Sequence, residues 1–134
     1  MKKLIFIDDS QLDHFILKRV LRKYDLAFDV NCTADVREVI SFLEQNRGDE
    51  ETLPDIILVD IYMPGLDGWA FLDKLQSIYP SLSKEPRVYI LSSSISPRDI
   101  RRAKNYPFVR SFIFKPITKE SLEKYMNEEV SNLR

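Results

Sequence analysis

The sequence predicts an α/β fold, a five-stranded parallel sheet with helices on both faces. Two observations carry the prediction. Short apolar runs alternate strictly with longer amphipathic ones, which calls for right-handed crossovers between parallel strands. The run "DIILVD" at 55–60 has four consecutive apolar residues, as a strand buried on both faces would.

The elements follow in order. "KLIFID" at 3–8 reads as a first strand, short and apolar. Residues 10–24 place Leu12, Phe15, Ile16, Val20 and Leu21 at helical spacing, with Ser10 as N-cap. "FDVNC" at 28–32 alternates apolar and polar residues, as an edge strand does. Residues 35–45 repeat the helical period with Val36, Val39, Ile40 and Leu43. A polar loop follows at 46–54, long for such a connection. After the buried strand, residues 67–79 carry Ala70, Phe71, Leu72, Leu75 and Ile78 and stop before Pro80. "RVYILS" at 87–92 is the fourth strand. Residues 96–104 form a short helix with Pro97 in its first turn, where proline is tolerated. "VRSFIF" at 109–114 is the fifth strand, and 118–130 the last of five helices. The 134 residues suit one domain, 1–134, with no linker, repeat or low-complexity tract.

Composition narrows the function. Apolar residues make up 44% and charged residues 31%, an ordinary soluble balance. A formal net charge of −1 gives no electrostatic case for binding nucleic acid or an anionic membrane. The apolar start, residues 4–7, is too short for a signal peptide, and no run approaches a membrane helix. The single Cys32 excludes an internal disulfide and suits a reducing, cytoplasmic location.

In open parallel sheets the working site lies outside the carboxyl ends of the strands. Those ends deliver Asp8 and Asp9, Asp60, Ser92 with Ser93 and Ser94, and Lys115 followed by Pro116. Each alone could be an ordinary cap or loop residue. Convergence from four strands makes that reading hard to sustain. Three carboxylates in one cleft repel one another, and a divalent cation resolves the conflict. Oxygen ligands at an exposed site favour Mg²⁺, which works with phosphates, and the lack of a His/Cys cluster argues against zinc. Lys115 adds a point charge for a phosphoryl group and Ser92 a hydroxyl. The set describes phosphoryl transfer to a carboxylate.

Here the chain resembles the receiver domain of two-component response regulators over almost its whole length. The resemblance rests on "FIDDS" (6–10), "ILVDIYMPGLDGW" (57–69), "YILSSS" (89–94) and "FIFKPI" (112–117) in this order. It implies a flavodoxin-like three-layer (βα)5 sandwich with strand order 2-1-3-4-5. By resemblance Asp60 is the phosphoacceptor, and Asp9 a direct Mg²⁺ ligand with Asp8 its partner. The backbone carbonyl of Tyr62 is a further ligand, and Mn²⁺ can take the place of Mg²⁺. Ser92 and Lys115 hold the phosphoryl group, Phe112 is the aromatic switch, and the Lys115–Pro116 bond is cis. The family receives its phosphoryl group from a sensor histidine kinase or phosphotransfer protein. It then shows a changed surface around helix 4, strand 5 and helix 5 to a protein partner. Homodimerisation through that surface stays open.

Other residues are read one by one. Tyr62 and Ser94 each lie two residues beyond a site residue, and the resemblance implies that these positions flank the path of attacking water. The bulky Tyr62 is expected to shield the acyl phosphate and slow its autodephosphorylation; the plainer alternative is a ring in solvent. Along the fifth strand Val109, Ser111 and Ile113 should share one face, and Arg110, Phe112 and Phe114 the other. His14 reads as a surface or interface histidine, Cys32 as a small buried residue, and Trp69 as helix packing. Arg98, Arg101 and Arg102 read as a solvated face. Three functions compete: a stand-alone phosphorylatable switch, a carboxylate-nucleophile phosphatase or phosphotransferase, and a receiver-fold module never phosphorylated. The phosphatase usually has a second Asp two residues after its nucleophile, where this chain has Tyr62. An unphosphorylated scaffold has no need of Asp8, Asp9, Asp60, Ser92 and Lys115 together.

Overall fold

Side chains alternate across a strand, and that period sorts the apolar residues into two cores. The computed structural model describes residues 1–63, 68–93 and 95–130. Strands β1 (Lys2–Ile7), β2 (Phe28–Thr33), β3 (Ile56–Asp60), β4 (Arg87–Ser92) and β5 (Val109–Phe114) form one sheet. Their order is β2-β1-β3-β4-β5, and every neighbouring pair is parallel. Ile5, Ile7, Ile57, Val59, Val88 and Ile90 face one core. There they meet α2 (Val36–Gln45), α3 (Gly68–Ile78) and α4 (Pro97–Ala103). Leu4, Phe6, Ile56, Leu58, Tyr89 and Leu91 face the other. That core is covered by α1 (Gln11–Lys23), α5 (Lys119–Tyr125) and α6 (Asn127–Val130). Each fully buried aliphatic side chain contributes about 1.5–3 kcal/mol, and all five residues of β3 are buried. Among the described residues no helix is long and apolar enough to cross a membrane.

Several expectations are corrected. The last helix does not run unbroken from 118 to 130. It ends at Tyr125, Met126 leaves helical geometry at φ −123°, and α6 restarts at Asn127. The break turns Met126 into the core and Glu129 toward the sheet. Six helices are therefore described, and a 3-10 turn, Tyr79–Ser81, follows α3. On α1 the buried residues are Leu17 and Leu21, while Leu12 and Phe15 stand exposed. The expected alternation along β5 fails at a β-bulge. Val88 pairs with Val109 but Tyr89 pairs with Ser111, so Arg110 is an extra residue. The side-chain phase shifts there, and Val109 and Phe112 pack against the same core. Cys32 is half-buried. His14 is also half-buried, its ring edge against Phe6. Arg102 lies 4.6 Å from the centre of the buried Trp69 ring and 4.0 Å from Asp73, so it is not simply solvated. Leu53, within the polar loop, is fully buried.

Glu129 pins the C-terminal segment to the sheet. Its Oε1 accepts from Lys2 at 3.1 Å and Arg87 at 2.8 Å, and Arg87 Nε reaches Oε2. Burial pushes this carboxyl up, but the Arg87 and Lys2 hydrogen bonds outweigh it and hold it below the usual range. A depressed carboxyl stabilises the fold above its ordinary value of 4.5 and loses that contribution as pH falls through the folded value. Both cations are part-exposed, so Glu129→Gln should destabilise by about 2–3 kcal/mol at pH 7. Urea unfolding of the two proteins should give a gap at pH 7 that narrows below pH ~4.5.

Candidate functional site

Four strands end on one patch of the sheet. Asp8 follows β1, its N–H donating to the Thr33 carbonyl at 3.0 Å, and its Oδ1 accepts the Ser10 N–H at 3.0 Å. Asp60 closes β3, and Ser92 closes β4. Lys115 follows β5, its N–H donating to the Ser92 carbonyl at 3.0 Å, and the Lys115–Pro116 bond is cis. Asp8 is fully buried and Asp60 only 6% exposed, whereas Asp9 is exposed. Two near-buried carboxylates side by side require compensation.

Lys115 provides part of it. Its ammonium donates to Asp8 Oδ2 at 2.9 Å, Asp60 Oδ2 at 3.0 Å and Asp13 Oδ2 at 2.8 Å. An ammonium has three donors, and each has a carboxylate partner here. Burial pushes Lys115 down, but its bonds to Asp13, Asp8 and Asp60 hold it well above its ordinary range. The same burial raises the Asp8 carboxyl, more than the Lys115 bond and the Ser10 N–H lower it. Asp13 is lowered, because its bonds to Lys115 and Ser10 outweigh its burial.

One carboxylate oxygen each from Asp8, Asp9 and Asp60 lies within 4.8 Å of the others, a spacing that one cation can bridge. Oxygen donors only, with one exposed member, suit a hard ion that keeps water. The chemistry of this donor set therefore fits Mg²⁺ or Mn²⁺.

Asp13 and Asp99 were missed from the sequence. Asp13 stands four residues after Asp9, one turn along α1, and resembles any first-turn carboxylate. Asp99 looks like the capping-box residue of α4, and it is that as well. Its side chain also accepts from the Tyr62 hydroxyl, at 2.8 and 2.7 Å. Tyr62 is 55% exposed, yet its phenol is anchored to Asp99 rather than left in solvent. Its N–H donates to Asp60 Oδ1 at 2.9 Å. Phe112 is half-buried beside a groove that Ile100, Ala103, Tyr106 and Val109 also line. Ser94 lies outside the described residues, as do residues 64–67.

The family model for the response regulator receiver domain matches residues 4–127. The chain belongs to that family. The receiver is 24% identical over 125 residues to the probable methanogenesis regulatory protein FilR2 of Methanothrix harundinacea, covering 93% of this chain and 79% of that one. It is 25% identical over 120 residues to the sensory/regulatory protein RpfC of Xanthomonas campestris, covering 90% of this chain but only 15% of RpfC. A solved two-component response regulator from Cytophaga hutchinsonii superposes with a TM-score of 0.82 at 25% identity, over 98% of each chain. Strand order and flavodoxin-like layering in this receiver agree with that likeness.

Proposed function

We propose that this receiver accepts a phosphoryl group on Asp60 from the phosphohistidine of a sensor kinase or phosphotransfer protein, and thereby switches a surface for a protein partner. The observation that carries the reading is the Lys115 ammonium, bonded at once to Asp60 and Asp8 in a near-buried carboxylate cluster. A divalent cation held by Asp8, Asp9, Asp60 and the Tyr62 carbonyl would supply positive charge against the phosphoryl oxygens. Asp60 then attacks phosphorus, the phosphorus–nitrogen bond of the donor breaks, and the imidazole leaves. Lys115 exchanges its bond to the Asp60 carboxylate for one to a phosphoryl oxygen. Ser92 turns its hydroxyl to another, and the space it leaves admits Phe112. The groove between α4 and β5 beside Phe112 changes shape with it. The Tyr62 ring slows attack by water.

The test combines Mg²⁺ with acetyl phosphate, or with beryllofluoride, and follows mass and Trp69 fluorescence. Trp69 is buried and follows Gly68, the residue of α3 that abuts the Asp60 backbone, so its emission should report rearrangement there. The native protein should gain one phosphoryl group and Asp60→Asn none. Labelling that survives Asp60→Asn would move the acceptor elsewhere. Steady turnover of a phosphoester would favour an enzyme.

A further inference from the structure

Tyr62 touches two parts of the molecule at once. Its N–H donates to Asp60 Oδ1 at 2.9 Å, and its hydroxyl sits 2.8 and 2.7 Å from the two Asp99 oxygens. The ring therefore spans from the carboxyl end of β3 to the first turn of α4. The gap it crosses lies between the segments that follow two adjacent strands, β3 ending in Asp60 and β4 ending in Ser92. Asp99 is a firm anchor. It is 5% exposed, its Oδ2 accepts the Ser96 N–H at 3.1 Å, and its own N–H donates to Ser96 Oγ at 3.2 Å. Burial pushes its carboxyl up, but the Tyr62 hydroxyl and the Ser96 donors hold it below the usual range, ready to accept. An exposed tyrosine ring normally samples several rotamers, and holding it in one costs side-chain entropy unless a bond offsets the loss.

We propose that Asp99 is a positioning residue that straps the Tyr62 ring across this gap and so prolongs the life of a phosphoryl group on Asp60. The proposal rests on Asp60 being the phosphoacceptor. In hydrolysis the oxygen of water bonds to phosphorus and the bond from phosphorus to the Asp60 oxygen breaks. Asp60 regains its carboxylate, and dihydrogen phosphate leaves with both protons of the water. A strapped ring narrows the approach of that water, and a released ring opens it.

The experiment measures decay of phosphorylated protein after removal of acetyl phosphate. Tyr62→Phe keeps the ring and loses the bond; Asp99→Ala loses the acceptor. Each should speed decay about three-fold to ten-fold, the worth of one hydrogen bond. The double variant should decay no faster than either single one, because both remove the same contact. Asp99→Asn keeps one acceptor oxygen and should return decay part of the way, while Tyr62→Phe leaves the Ser96–Asp99 capping box intact, so faster decay in that variant is not a loss of helix capping. Native decay in Tyr62→Phe, or effects that multiply in the double variant, would overturn the strap while leaving Asp60 as acceptor. A native protein that takes up no phosphoryl group would overturn both.

Discussion

Gly68→Ala destabilises the fold by about 1–3 kcal/mol or more, the cost of forcing an extra methyl into a packed site. Alanine is ordinarily favoured over glycine in a helix by about 1 kcal/mol, so propensity alone gives the opposite sign. Contact decides the outcome. A Cβ on Gly68 would lie 2.5 Å from the Asp60 carbonyl oxygen and 2.7 Å from Ile61 Cα, both backbone atoms. Neither can rotate away as a flexible side chain would. The Gly68 N–H also donates to the Ile61 carbonyl at 3.2 Å, so α3 starts against the residue that follows β3. Relief of the clash must shift the segment that carries Asp60, and phosphoryl uptake should fall with stability. Gly48 is the internal control. A Cβ there meets nothing within 4 Å, so Gly48→Ala should be neutral, or stabilising by up to about 1 kcal/mol through the unfolded chain. Urea unfolding of the two variants should move in different directions, and equal midpoints would refute the packing argument.

Lys115→Met leaves Asp8, Asp13 and Asp60 without their shared cation. Removing one partner from a fully buried pair costs about 3–5 kcal/mol. The Lys115 side chain is 15% exposed, so a loss of about 2–4 kcal/mol is expected at pH 7 without divalent cation. The pH dependence has a definite sign. The Asp8 carboxyl is already raised by burial, with Lys115 the main group restraining it. A raised carboxyl takes up a proton more readily folded than unfolded, so its penalty is largest at neutral pH and fades on acidification. Lys115→Met removes the restraint, and its deficit should therefore shrink as pH falls. Millimolar Mg²⁺ should recover part of the stability at pH 7, through binding to the folded state alone. Equal deficits with and without Mg²⁺ would count against Asp8, Asp9 and Asp60 as a shared cation site.

The layering was legible because the parallel sheet makes burial obvious. The run at 55–60 has no polar face, and all of β3 is buried. Asp60 was legible for the same reason, since a carboxylate ending such a run must have a purpose. What escaped depends on contacts between residues far apart in the chain. Tyr62 and Asp99 are 37 positions apart, and each has a sufficient local explanation, as a loop residue and as a cap. Asp13 had a spacing signal, one helical turn from Asp9, but first-turn acids are common enough to hide it. The break at Met126 escaped because 118–130 keeps a helical period. What accompanies it is long-range, the bonds from Lys2 and Arg87 to Glu129. Exposure of Leu12 and Phe15 escaped because apolar spacing on α1 marks more than one stripe, and the sheet takes only that of Leu17 and Leu21.

The extra residue at Arg110 bears on how another chain can attach. β5 is an outer strand of the sheet, and the outer edge of a sheet presents a row of backbone donors and acceptors that could template a further strand. The bulge interrupts that row, and Arg110 sets a charged side chain at the interruption. An incoming strand would lose register there. A partner that bound along this edge would therefore meet side chains, and the shape and charge of the groove, rather than the main chain. On the proposed switching of Phe112, a partner of that kind would tell one state from another. Backbone pairing would respond far less, and it would also invite fibrous self-association.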